Sequence, residues 1–312
     1  MKVLVLNPDH IGNLILITPF LHVLKRSFPK WHITVLCSSV SAPVLENNPN
    51  IDDIIWCEYP WLSRAEYKPW KYFIWIMRYL RKQKFDIIFN MRKATKEAVI
   101  ARLIGAKDII GFDVPKSAWT NTCTYPYDCN KHIADLFVDL IGNTIPPPHN
   151  GLELFLTDEE INEFKKYTSK YIVLAHQSPD TQKMWDIEKW IPIESWIVTD
   201  TKYNITALYS GMFSLRQVFS LIKNAELVIS VDSAPVHIAS AVRTPVIALY
   251  GKHNPKHWGP YPNGEFNQII CKVEEFECLS GTSTKTDGMK LIEVEDVKEA
   301  IRRLYEIDKI SA

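Results

Sequence analysis

The 312-residue chain is predicted to be α/β, built as two Rossmann-like doubly wound parallel-sheet domains, and three observations lead there. Short β-branched runs alternate with amphipathic stretches, as in βα units on a parallel sheet. The length is about twice the common domain size. Near the middle, Asn143 to Asn150 carries three consecutive prolines, and beyond this stiff linker the alternation begins again. The expected domains are therefore 1–148 and 149–312, facing one another across a cleft at the carboxyl ends of their strands, where such folds keep their ligands.

In the first half the strand candidates are Lys2 to Asn7, His32 to Cys37, Asp53 to Cys57, Phe85 to Asn90 and Asp108 to Phe112. Thr18 before Pro19 reads as a cap and a proline at a helix start, although a helix beginning at Gly12 and kinked at Pro19 satisfies the same residues. Pro69 opens a helix running to about Gln83, and Lys131 to Ile141 forms another, ended by Gly142. After the linker the strands are Lys170 to Ala175, Asn204 to Tyr209, Glu226 to Val231 and Pro245 to Tyr250. Val297, Ala300, Ile301, Leu304 and Ile307 form a helical apolar stripe at the end of the chain, which packs onto a core and could reach back to the first domain.

Composition excludes several classes. Lys plus Arg and Asp plus Glu are both 36, so no global field draws in nucleic acid. No run approaches the roughly 18 uncharged apolar residues of a membrane span. Met1 to Asn7 runs into an apolar strand with no small-residue cleavage site, so cytoplasm is the expected compartment. The six cysteines contain no C-x-x-C and read as reduced structural thiols, and the spacing of Cys123, Cys129 and His132 fits no zinc pattern. No metal and no cofactor are expected. Glycine is scarce, at 11 residues, below the usual roughly 7%.

Four loops carry candidate chemistry. Asn7-Pro-Asp-His-Ile-Gly-Asn13 follows the first strand and has one glycine, too few for a dinucleotide fingerprint. Asp9 and His10 could act as a base toward an alcohol, or cap a turn and be solvated. Ser230-Val-Asp-Ser-Ala-Pro-Val-His237 joins a buried strand to a small-residue helix. Asp232 or Ser233 can cap that helix, Pro235 suits its first turn, and its free amides form an anion site, so a phosphate belongs there. Asp232, itself negative, suits a ribose hydroxyl or a backbone amide better, and His237 could instead satisfy its own first turn. Gln177-Ser-Pro-Asp-Thr-Gln-Lys183 places Lys183 at a strand end, where it could neutralise a diphosphate as a point charge. The loop Gly251 to Pro260 adds two lysines, two histidines and an indole to the same edge.

Taken in order, several segments resemble glycosyltransferase family 9, the lipopolysaccharide heptosyltransferase family, which has the GT-B fold. In the first half they are His10-Ile-Gly-Asn-Leu-Ile-Leu-Ile-Thr-Pro19, Leu24-Lys-Arg-Ser-Phe-Pro29, Phe85-Asp86, Ile104-Gly-Ala106 and Ile110-Gly-Phe-Asp113. In the second they are Lys183-Met-Trp185, Gly211-Met-Phe-Ser-Leu215, Val231 to His237 with Thr244-Pro245, Tyr250-Gly251, Trp258-Gly-Pro260 and Met289 to Val297. The resemblance implies an inverting, metal-independent transfer of a heptose-like sugar from a nucleoside diphosphate donor, with ADP-heptose expected, to a lipopolysaccharide or other cell-envelope glycan hydroxyl. It also implies an acceptor-binding first domain, a donor-binding second domain, a glycan or lipid-linked acceptor and peripheral contact with the cytoplasmic face of the inner membrane. Lys183 and Ser233, Ala234 and His237 would hold the phosphates, with Gln177 and Ser178 nearby. Asp232 would order the loop and the donor sugar, and Phe213 would lie near the nucleobase.

Three departures accompany the resemblance. Asn13 stands where the family has its proposed catalytic Asp, and an amide accepts no proton at neutral pH, so Asp9 or His10 would substitute. Ala234 stands where the family has Gly. The span from Lys183 to Ser214 lacks room for a further strand and helix that the family has. A catalytically impaired binding or scaffold protein is the alternative these departures motivate, and a nucleotide-sugar epimerase or hydrolase is a third reading.

Overall fold

A computed structural model of the chain describes residues 1–8, 10–57, 70–142, 148–165, 170–262, 264, 266–278, 280–283 and 287–310. Among the described residues the chain forms two compact units, 1–128 with 133–150 and 129–132 with 151–312. The short segment 129–132 therefore belongs with the second unit, which departs from a simple division at the proline linker.

The first unit contains β1 (Lys2–Leu6), α1 (Ile11–Leu16), α2 (Thr18–Ser27), β2 (His32–Cys37), β3 (Asp53–Trp56), α3 (Trp70–Lys82), β4 (Ile87–Asn90), α4 (Thr95–Ile104), β5 (Asp108–Phe112), β6 (Cys123–Tyr125) and α5 (Ile133–Asp139). Its six parallel strands run in the order β3-β2-β1-β4-β5-β6. The central strands are buried along nearly their whole length, which explains why they read as continuous apolar runs. Phe73, Ile76 and Leu80 of α3 pack with Ile100, Ala101 and Ile104 of α4 over Leu4, Leu6 and Ile88 of the sheet. Of the two alternatives near Gly12 and Pro19, neither holds in full: α1 ends at Leu16, α2 begins at Thr18 with Ile17 at the N-cap position, and the Thr18 hydroxyl, instead of capping, donates back to the Ile15 carbonyl at 2.8 Å. Pro69 and residues 143–147 of the linker lie outside the described residues.

The second unit contains α6 (Asp158–Lys165), β7 (Tyr171–Ala175), α7 (Ile187–Asp200), β8 (Asn204–Ala207), α8 (Leu215–Lys223), β9 (Leu227–Val231), α9 (Ala234–Val242), β10 (Val246–Tyr250), α10 (Pro255–Trp258), β11 (Asn267–Cys271) and α11 (Val294–Ile310). Its five parallel strands are ordered β11-β10-β9-β7-β8. Val297, Ala300, Ile301 and Leu304 of α11 join the core of this same unit, beside Trp185, Trp190 and Ile193. Two glycines shape the edge next to β10. A Cβ on Gly251 would lie 2.3 Å from the Met289 nitrogen, and one on Gly288 would lie 2.0 Å from the Gly251 carbonyl. Only glycines let these two backbones meet.

The reading of all six cysteines as reduced needs correction. Cys129 and Cys278 form a disulfide across 149 residues, while Cys37 and Cys57 are free and buried. The bond ties segment 129–132 to the second unit, where His132 hydrogen-bonds the Gly259 carbonyl and stacks on Tyr261.

Candidate functional site

In the second unit β7, β9 and β10 lie side by side, so the loops leaving their carboxyl ends converge. After β9 the Asp232 amide still donates to the Leu249 carbonyl at 3.0 Å, and α9 begins two residues later. Ser233 is extended at φ −153° and turns its hydroxyl back to the Val231 carbonyl at 3.2 Å. Neither expected cap forms. Ser233 makes no side-chain bond to the first turn of the helix, Asp232 points at cations instead, and Pro235 brings no N–H. Uncapped first-turn amides and the helix dipole leave this end suited to an anion. Ala234 opens the helix in ordinary helical backbone, with no positive φ, so its methyl introduces no backbone strain.

Asp232 is the electrostatic centre. One of its oxygens lies 2.7 Å from His253 Nδ1 and 3.1 Å from Lys183 Nζ, and the residue is only 4% exposed. Burial alone would raise its carboxyl pKa, but the His253 hydrogen bond and the charges of Lys183 and His253 hold it below the ordinary carboxylate value. An ionised carboxylate only accepts, so Nδ1 of His253 carries the proton and Nε2 is left for another partner. Lys183 is fixed by a short turn, Thr181–Lys183, that Asp180 starts by accepting from the Gln182 amide at 3.1 Å. Asp180 in turn takes Lys252 Nζ at 2.6 Å. An ammonium has three donors, and the bond to Asp232 occupies one of those on Lys183. A cation thus oriented can bind phosphate without leaving its carboxylate.

His237 sits in the first turn of α9, 6% exposed, with Nδ1 unpartnered among the described residues. Burial lowers its pKa to about 4, against an upward pull from Asp232 and with further lowering by His132 and Lys183. The imidazole is therefore neutral at pH 7. In the unfolded chain it titrates near 6.5, so the unfolded state binds the extra proton between the two values, and stability present above pH 6.5 is lost as pH falls toward 4. The loss expected from this group is about 3 kcal/mol. Denaturant midpoints measured from pH 7 to 4 should fall more steeply for the native chain than for His237→Gln, and parallel slopes would show that this histidine is not the sensor.

The other expected donor residues sit on the loops after β7 and β8. The Gln177 side-chain carbonyl accepts from the Ser210 amide at 3.2 Å, tying the loop after β7 to that after β8. The Ser178 hydroxyl accepts from the Asp180 amide at 3.2 Å and shapes the turn leading to Lys183. Phe213 packs edge-on against Phe164 of α6, with ring centroids 5.7 Å apart, just before the Ser214 capping box of α8. Its ring thus has a structural partner. Asp180, Lys252 and His253 carry no individual signal in the sequence, although the basic loop Gly251 to Pro260 belongs to this edge.

In the first unit, His10 is exposed at the N-cap position of α1 with no side-chain cap bond, and Asn13 lies in the first turn. The buried Asn7 side-chain amide donates to the Asn13 carbonyl at 3.1 Å. Asp9 lies outside the described residues. β1 and β4 are neighbours at the point where the strand order reverses, so the loop after β4 emerges beside this one. That loop brings Arg92 and Lys93, which sequence reasoning missed. Burial and the neighbouring Arg92 lower Lys93 to about 8, and its ammonium donates to the Tyr127 hydroxyl at 2.7 Å.

A family model described as glycosyltransferase family 9 (heptosyltransferase) matches residues 74–205 and 197–287. The chain belongs to glycosyltransferase family 9. This family 9 chain is a glycosyltransferase, and the GT-B fold expected of it is shared with solved relatives. It is 26% identical over 288 residues to the lipopolysaccharide core heptosyltransferase OpsX of Haemophilus influenzae, a match covering 81% of this chain and 79% of that protein. A family 9 glycosyltransferase from Veillonella parvula superposes with a TM-score of 0.81 at 23% identity, covering 98% and 97% of the two chains. The Escherichia coli heptosyltransferase WaaC, solved with ADP, superposes with a TM-score of 0.77 at 16% identity, covering 97% and 100%.

Proposed function

We propose that this family 9 glycosyltransferase moves a heptose-like sugar from ADP-heptose to a hydroxyl of lipopolysaccharide or another cell-envelope glycan, with inversion and without a metal ion. The observation that carries the reading is the Lys183–Asp232–His253 cluster beside the uncapped start of α9. A relative named as a lipopolysaccharide core heptosyltransferase and another solved with ADP support the donor and the acceptor class.

In the proposed reaction a base from the first loop, Asp9 or His10, takes the acceptor hydroxyl proton. The acceptor oxygen bonds to the anomeric carbon as the bond from that carbon to the diphosphate oxygen breaks on the opposite face, which inverts the centre. Negative charge grows on the departing diphosphate, and Lys183 with the α9 amides meets it. Neutral His237, first-turn neighbour of those amides, offers a hydrogen bond without adding charge. Ala234 fits because the phosphate approaches amides of a regular helix. Between Lys183 and Ser214 the chain has one helix, α7, and one strand, β8, so reading of the nucleoside falls to few residues, with Gln177 and Phe213 proposed among them.

The test is ADP release from ADP-heptose with a lipopolysaccharide core acceptor, in EDTA and in magnesium. Acceptor-dependent release at equal rates in both is expected. Loss of activity in EDTA would overturn the metal-free reading, and UDP- or GDP-sugars turning over in place of ADP-heptose would overturn the donor. Asn13 favours one second reading: ADP binding with no turnover of any donor would mark a binding protein that has lost its base.

A further inference from the structure

The Cys129–Cys278 disulfide joins two segments of the second unit that grip one stretch, 251–261, which follows β10 and carries Lys252 and His253. On one side, residues 280–283 pair with its backbone. The Ser283 amide donates to the Lys252 carbonyl at 2.6 Å, the Asn254 amide donates to the Gly281 carbonyl at 2.8 Å, and an antiparallel bridge sets Thr282 opposite His253. Cys278 is built into this segment, because the Glu277 amide donates to the Thr282 carbonyl at 2.8 Å and the Glu277 carbonyl accepts from the Gly281 amide at 2.7 Å. Gly281 approaches so closely that a Cβ there would lie 2.9 Å from Trp258 Nε1. On the other side, segment 129–132 holds the far end of the stretch. His257 Nδ1 donates to the Lys131 carbonyl at 2.6 Å, and His132 Nε2 donates to the Gly259 carbonyl at 3.1 Å while its ring stacks on Tyr261. Both imidazoles are buried. The gripped stretch in turn reaches the charged cluster: Lys252 bonds Asp180 at 2.6 Å and His253 bonds Asp232 at 2.7 Å.

We propose that this disulfide is a redox-responsive clamp on the donor site. Closed, it fixes Lys252 and His253 for the nucleoside diphosphate; reduced, it lets the stretch 251–261 loosen, and the donor binds more weakly. The proposal rests on the donor-site reading above. A covalent link keeps either gripping segment from leaving while the other stays, whereas hydrogen bonds near the surface open locally. Cys278 is exposed and Cys129 half-buried, so the bond is within reach of a soluble dithiol. A thiolate of the dithiol attacks Cys278 Sγ, the bond between the two cysteine sulfurs breaks, and Cys129 leaves as a thiolate that takes up a proton. The second thiol of the dithiol, losing its proton, attacks the mixed disulfide and releases Cys278. Both cysteines are then reduced, and the dithiol is oxidised to its own disulfide. Where thiols are kept reduced, the disulfides that form are usually transient and redox-sensing.

ADP titration of the full chain, oxidised and then reduced with dithiothreitol, tests the clamp, together with amide hydrogen exchange at Asn254 and Ser283. Reduction is expected to weaken ADP binding roughly tenfold, the worth of one hydrogen bond to a charged group. It should speed exchange at both amides by about tenfold or more, and reoxidation should reverse both changes. Cys129→Ser/Cys278→Ser should bind ADP like the reduced native chain, with or without dithiothreitol. In Lys252→Ala/His253→Ala the affinity should be low and equal in both redox states, which a bond that merely stabilises the fold would not produce. An ADP affinity of the native chain unchanged by reduction would overturn the proposal, as would a redox response that persists in either double variant. Should circular dichroism show the serine variant unfolded, the native chain with and without dithiothreitol and the Lys252→Ala/His253→Ala pair still decide. No ADP binding by the oxidised chain, with exchange still sensitive to reduction, would remove the donor-site reading while upholding the clamp.

Discussion

Lys183→Ala is expected to lower kcat/KM for the donor by roughly a hundredfold to a thousandfold, the range for removing one charge-stabilising donor from a transition state. Lys183 is held 3.1 Å from Asp232, two residues before α9, and is 17% exposed in its side chain, so its charge acts in a largely desolvated place. Part of the loss should appear in ground-state binding of ADP and part in kcat, because the diphosphate gains charge as the sugar leaves. Lys183→Arg should recover some binding and less of kcat, since the planar guanidinium keeps the charge but not the reach of an ammonium. Steady-state kinetics together with ADP titration separate the two parts. A Lys183→Ala variant with native kcat and KM would mean that the ion pair with Asp232 is purely structural. The fold itself should survive, because Asp232 keeps its 2.7 Å bond to His253 and the turn at 181–183 is started by Asp180.

Replacing the base proposed in the first loop should have an effect of similar or greater size, falling almost wholly on kcat. General-base catalysis contributes roughly a hundredfold to ten-thousandfold, so either Asp9→Asn or His10→Ala should cost that much. The pH profile tells which. An imidazole base loses activity as pH falls below about 6.5, whereas a carboxylate keeps it to about pH 4. Asn13→Asp adds an ionisable group in the first turn of α1 and should rescue whichever variant has lost the base. Native rates in both single variants would remove Asp9 and His10 from the mechanism. Activity that appears only on Asn13→Asp would show that the native loop holds no base.

The parts of the fold visible in the sequence were those set by local pattern. Strands such as Leu227–Val231 and Val246–Tyr250 are wholly buried, and burial on both faces writes itself as an unbroken apolar run. β6 and β11 escaped because Cys123–Tyr125 is three mostly exposed residues and Asn267–Cys271 is an edge strand of mixed polarity. The loop order places Lys183 and Asp232 on one sheet edge, but their direct ion pair and the bond of His253 to the same carboxylate are tertiary events between residues 21 or more positions apart. The expected cap on α9 failed for the same reason: once Lys183 and His253 are present, charge pairing outcompetes a local helix cap for the Asp232 carboxylate. The Cys129–Cys278 bond spans 149 residues and has no spacing signature at all. Lys93 looked like an ordinary charged residue after a strand, and only its burial beside Arg92 and Tyr127 marks it out.

The diphosphate site proposed at the carboxyl ends of β7, β9 and β10 is tested most directly by calorimetric titration of ADP into the native chain and into Lys183→Ala, in buffer containing EDTA. Saturable one-to-one binding without metal, weakened at least tenfold by the substitution, is predicted. No binding to the native chain at millimolar ADP, or binding that requires magnesium, would contradict it.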